Sequence, residues 1–120
     1  MLINELAKKT GLTAHTIRFY EKCGLIKGTR DVTVKSNNYF HYDDETVEKL
    51  ELVGYAKAVG FTLNEIGEML DAWYNKQFTI EQKIAILDQK LTSIDAKIAQ
   101  LQEMKQLIET FKADVKEFDC

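Results

Sequence analysis

From Ile80 onward, Ile80, Ile84, Leu87, Leu91, Ile94, Ile98 and Leu101 fall at alternating steps of four and three. That spacing keeps one apolar stripe on one side of an α-helix and is the seam of a coiled coil. Thr79-Ile80-Glu81-Gln82 precedes it with the spacing of a capping box, in which a hydroxyl and a side-chain carbonyl satisfy each other's backbone amides at a helix start. Met104, Ile108, Phe111, Val115 and Phe118 continue the alternation after two successive steps of three, the phase slip of a stammer or of a helix break. No proline or glycine follows Gly67 to choose between the two. A chain of 120 residues has little left to cover such a stripe, so the seam predicts self-association through Ile80, Ile84, Leu87, Leu91, Ile94, Ile98, Leu101 and Ile108.

What remains is a small head. Its charge is unlike that of the stalk: residues 1–42 hold seven Lys/Arg against three acids, a balance of +4, and the rest hold nine against sixteen, −7. A basic head on an acidic stalk suits phosphate recognition, which needs positive charge only on the surface that faces the nucleic acid. No run approaches the roughly 18 apolar residues of a membrane span, and Met1 leads into Leu2-Ile3-Asn4-Glu5 rather than a basic, apolar leader, so a soluble, cytoplasmic protein without membrane contact is expected. Cys23 and Cys120, almost a chain length apart, support neither a disulfide scaffold nor a paired-thiolate zinc knuckle.

Along the head, Asn4 is the expected cap of a first helix that turns Leu6 and Ala7 inward and closes at Thr10-Gly11. A second helix starts at Thr13 and runs through Ile17 and Tyr20 to Cys23, with Gly24 as its stop. Two short helices joined by a glycine turn form a helix-turn-helix, whose second helix enters the major groove. Between Lys27 and Tyr42, Val32-Thr33-Val34 and Tyr39-Phe40-His41-Tyr42 flank Ser36-Asn37-Asn38, which predicts a hairpin, the wing. Asp43 or Asp44 caps a third helix carrying Val47, Leu50, Val53 and Ala56, ended by Gly60. Thr62-Leu63-Asn64-Glu65 is a second capping box and opens a fourth helix through Ile66, Met69, Leu70 and Trp73, with 74–78 as connector. The division is a winged helix-turn-helix DNA-binding domain over 1–74 and a dimerisation helix with a short C-terminal effector segment over 79–120.

On the second helix, Thr13, His15, Thr16 and Arg18 occupy the first turns, where side chains and free amides meet base edges and phosphates. Tyr20 and Tyr39 can give hydroxyl contacts to the DNA backbone, and Lys35 at the hairpin tip can touch a phosphate. Ile17, Phe19 and Leu25 read as the apolar positions that pack the helices together, and Cys23 as a helix-end packing residue.

The run from Leu6-Ala7-Lys8-Lys9-Thr10-Gly11-Leu12-Thr13 through Thr16-Ile17-Arg18-Phe19-Tyr20-Glu21 to Gly24-Leu25-Ile26 closely resembles the first helix-turn-helix of the MerR regulators. Gly60-Phe61-Thr62-Leu63-Asn64-Glu65-Ile66 resembles the family's second such element, and with the long C-terminal helix the resemblance covers essentially the whole chain. It implies a mainly α fold: a winged helix-turn-helix head on a long, antiparallel coiled-coil dimerisation helix. It further implies a homodimer on double-stranded promoter DNA that, on sensing an effector, bends and untwists the DNA and so acts on RNA polymerase indirectly. Arg18, Tyr20 and Tyr39 match the family's DNA contacts, and Lys57 stands where an arginine is common. Asn38-Tyr39-Phe40 replaces the usual Gly-Tyr-Arg of the wing, and the segment from Arg30 to Asn38 is longer than usual, so the wing departs from the pattern.

Ile98-Ala99-Gln100-Leu101-Gln102-Glu103-Met104 and Asp119-Cys120 are similar to the branch of the family that senses copper and zinc through two cysteines, but Val115 stands where the first cysteine would fall. A metal effector would therefore rest on Cys120 with Asp114, Glu117, Asp119 or a second subunit, a mixed set that suits zinc, nickel or cobalt better than copper(I). Read alone, Cys120 is a frayed terminal thiol. Two other function classes compete with this one. His15 and Cys23, eight residues and ~12 Å apart on one helix, are too distant for a nucleophile and its base, which speaks against an enzyme. A coiled-coil adaptor whose head binds another protein is the remaining alternative.

Overall fold

The computed structural model describes residues 1–30 and 40–118, Arg30 by its backbone alone. Two compact units divide the chain, one spanning Met1–Gln77 and a second beginning at Phe78.

In the first unit, α1 (Ile3–Thr10) and α2 (Ala14–Lys22) pack together, and α1 also packs on α3 (Asp44–Ala58). The turn between α1 and α2 is made by Gly11, whose φ of 74° takes the left-handed conformation and whose N–H bonds Ala7 O at 2.9 Å. Asn4 is not the cap. The helix begins one residue before it, because Met1 and Tyr42 exchange backbone bonds of 2.8 and 2.7 Å and so fix where the chain enters α1. α2 starts as expected, with Thr13 Oγ1 accepting from Thr16 N at 3.1 Å.

The wing's described strands are β1 (Thr29–Arg30) and β2 (Phe40–His41), antiparallel, with Thr29 opposite His41 and Arg30 opposite Phe40. The predicted strand Val32–Val34 lies outside the described residues. Gly28 is buried where β1 begins. A Cβ there would stand 2.9 Å from both Phe40 Cβ and Tyr42 Cε1, so only glycine lets the two strands and the Tyr42 ring approach this closely.

Asp43 caps α3, accepting from both Thr46 N (2.9 Å) and Thr46 Oγ1 (2.8 Å). This satisfied pair explains a shift of phase. Thr46 is buried beside Leu50, Val53 and Ala56, while Val47 is only half-buried. Thr62 and Glu65 form the expected capping box of α4 (Leu63–Leu70). α4 does not run on as an α-helix to Trp73. From Asp71 to Asn75 the chain makes one π-helical turn. Lys76 N bonds back to Asp71 O at 2.9 Å, five residues earlier, and the Asp71 carboxylate takes the Asn75 amide at 2.9 Å and the Lys76 ammonium at 3.4 Å alongside it. Leu6, Ile17, Val53 and Ile66 are fully buried and form the centre of the head, each contributing about 1.5–3 kcal/mol by leaving water.

The second unit is α5 (Ile80–Phe118), one unbroken helix of 39 residues, so the phase slip after Leu101 is carried without a break. Its capping box is formed: Thr79 N donates to Gln82 Oε1 at 2.9 Å and Gln82 N to Thr79 Oγ1 at 3.2 Å. No described helix is long and apolar enough to cross a membrane.

Candidate nucleic-acid interface

Ile17 and Tyr20 point α2 into the core, at 0% and 5% exposure. At about 100° per residue the opposite face carries His15 and Lys22 along its midline, flanked by Arg18 and Phe19. All four are exposed. Arg18 and Lys22 are cationic, the His15 ring adds a hydrogen-bonding group, and no acidic residue lies within that stripe; Glu21 turns toward the wing, where its Oε1 accepts from the Tyr42 hydroxyl at 2.6 Å. Burial, followed by the hydrogen bond and the charge of Glu21, pushes the Tyr42 phenol up to about 12. The charge of Arg18 acts on it in the other sense.

At the N-terminus of α2, Thr13 Oγ1 also donates to Thr16 Oγ1 at 2.9 Å. Thr13 thus accepts from the Thr16 amide and donates to the half-buried Thr16 hydroxyl. The exposed Thr13 and His15 stand beside the first free amides of the helix, a place where an anion is favoured.

The ring of Tyr20 is core, with Lys57 Nζ 5.8 Å from the ring centroid, so any contact to DNA from this residue would be made by its hydroxyl alone. Phe19 corrects an expectation: it is 46% exposed rather than packed, with its ring tilted 51° against Tyr20 at 5.8 Å. The signal was present, since Phe19 is two residues from Ile17 and hence on the far side of the helix. Cys23 likewise is exposed and not a packing residue. Lys57 is exposed near the C-terminus of α3. Lys35, Tyr39 and Cys120 lie outside the described residues.

Along α5, Ile80, Ile84, Leu87, Leu91, Ile98, Leu101 and Ile108 are exposed, Ile80 by 75%, and Ile94 is half-buried. An apolar row this long facing water marks a surface made for association. Among the described residues no group of three or more His, Cys, Asp or Glu could hold a metal ion.

Comparison with known proteins agrees with this geometry. Residues 1–73 match the model of the MerR HTH family regulatory proteins, and residues 47–111 match the model described as MerR, DNA binding. The regulator HmrR of Rhizobium leguminosarum bv. viciae is 33% identical over 109 residues, covering 91% of this chain and 81% of HmrR. Among solved structures, PbrR691 from Ralstonia metallidurans CH34, in complex with lead(II), is 25% identical with a TM-score of 0.73, covering 90% of this chain and 82% of that one. HiNmlR, a MerR family regulator lacking the sensor domain and bound to promoter DNA, is also 25% identical with a TM-score of 0.62, covering 86% and 76%. The chain therefore belongs to the MerR family of helix-turn-helix regulatory proteins, DNA-binding transcription regulators rather than enzymes.

Proposed function

We propose that the protein works in the cytoplasm as an antiparallel homodimer that lays one α2 in each of two major-groove faces of promoter DNA. Effector binding then changes the bend and twist of the DNA and so its use by RNA polymerase. The observation that carries the reading is the outward face of α2: a cationic stripe beside an uncovered helix N-terminus, on a helix whose other side is locked into the core. Thr13, His15 and Thr16 serve the first turn, Arg18 is the leading base or phosphate contact, and Lys57, with Lys35 and Tyr39 of the wing, grips flanking phosphates. HiNmlR, similar over most of this chain, is a promoter-bound protein, which supports the same partner here.

Pairing of α5 over Ile80–Leu101 spans roughly 32 Å at 1.5 Å per residue, close to the ~34 Å between successive major-groove faces. The two consecutive steps of three after Ile98 are a natural end to that register. Bending a site of this size costs on the order of 1–6 kcal/mol, enough for a regulator to control a promoter by supplying or withholding it.

Binding to a fragment of the upstream region, titrated with salt, tests the reading. Affinity should fall steeply between 50 and 200 mM salt, and Arg18→Ala should weaken it and lower the salt slope by about 1. Salt-independent binding with no footprint would instead support a protein-binding head. Native mass spectrometry of the same preparation decides on a metal effector: bound zinc, nickel or cobalt that is lost in Cys120→Ser supports it, and metal-free protein whose Cys120→Ser variant responds normally in cells removes it.

A further inference from the structure

Phe19 is an exposed phenyl ring set in a stripe of hydrogen-bonding and cationic side chains, His15 and Lys22 one turn away on either side and Arg18 adjacent. A packing role does not account for it, since Ile17 and Tyr20 fill the buried side of α2. The flanking cations bring phosphates to this face, so a partner of nucleic acid chemistry is favoured over an apolar protein surface. A phenyl ring offers no donor or acceptor and cannot read the hydrogen-bonding edges of bases. The one apolar group presented by the floor of the major groove is the 5-methyl of thymine.

We propose that Phe19 is a specificity-determining residue of this regulator, reading a thymine methyl group in each half-site. The proposal rests on α2 being the recognition helix. Its contact with Tyr20, ring to ring at 5.8 Å, limits the directions the side chain can take and so favours one base position over its neighbours. Arg18, on the other flank of the stripe, would read or anchor a different position, so the two residues divide the half-site between an apolar and a charged contact.

The test is a scan in which each thymine of the bound promoter fragment is replaced in turn by deoxyuridine, which removes the methyl group and keeps every hydrogen-bonding atom. With the wild-type dimer, one symmetry-related pair of positions should lose about four-fold in affinity per half-site, the worth of one buried methyl group, and about fifteen-fold when both are replaced. Phe19→Ala should bind the thymine fragment correspondingly more weakly and lose that sensitivity, while Phe19→Leu should keep part of it. A wild-type dimer that binds the fragment with no deoxyuridine-sensitive position overturns the proposal and leaves α2 as the recognition helix. Sensitivity that persists unchanged in Phe19→Ala also overturns it, because the methyl is then read by another group. A wild-type protein that does not bind the fragment at all removes both readings.

Discussion

The Tyr42 hydroxyl donates to Glu21 Oε1 at 2.6 Å, tying the residue after β2 to the penultimate residue of α2. The wing and α2 are thereby joined by a short hydrogen bond, in addition to the backbone that links them. The angle between the two is set in part at this contact.

Tyr42→Phe removes the bond while keeping the ring, and should cost about 1–2 kcal/mol in urea unfolding. The pH dependence has a definite sign. The folded-state value of about 12 lies above the ordinary 10.0, so the stability linked to this group is complete below pH 10 and is lost as pH rises toward 12. Comparing wild type with Tyr42→Phe across pH 9–12 isolates it: the wild-type advantage should shrink through that window, whereas a constant difference would show that the bond is not formed in solution.

Gly28→Ala places a methyl group 2.9 Å from Phe40 Cβ and from the Tyr42 ring. The ring is held by Glu21 and cannot yield freely, so overpacking should destabilise the head by about 1–3 kcal/mol. Chemical denaturation measures the cost, and the wing amides should show faster hydrogen exchange.

Asp43→Ala strips the N-cap of α3 and should cost about 1 kcal/mol. Bonding from the Thr46 hydroxyl, then from the Thr46 amide, holds the Asp43 carboxyl below its ordinary range. Its contribution is therefore present above pH 4 and fades as acid titrates the cap, so the wild-type and Asp43→Ala unfolding curves should converge at low pH.

Leu91→Asp sets a charge in the middle of the α5 seam, at a residue 59% exposed in the single chain. Because the side chain faces water in the monomer, the head should keep its helical spectrum while sedimentation shows monomers and promoter affinity drops by at least ten-fold. A dimer that survives the change would place the interface elsewhere.

Much of this fold was legible in residue order because its punctuation is chemical. The capping boxes at Thr62 and Thr79, the Asp43 cap and the glycine stops each name a helix end, and each formed. Phase was harder. By residue type Phe19 reads as a packing residue, but the 100° step from Ile17 puts it on the outer face and leaves the buried side to Ile17 and Tyr20. Thr46 displaced Val47 from the core since its hydroxyl was already satisfied by Asp43, a pairing that hydrophobicity alone does not weigh. The π-helical turn at Asp71–Asn75 had no signal in periodicity, as it consists of a backbone bond that closes five residues back instead of four. Gly28 is needed only because a ring from across the wing arrives beside it.

The bare apolar row of α5 also bears on abundance. A surface that is covered only by a second copy makes the paired population obey mass action, so each dilution of the protein parts more of the pairs. A cell holding few molecules would thus keep a pool of single chains, each with one reading head and without the second that holds a full operator. Control of the promoter would then follow roughly the square of the gene's output.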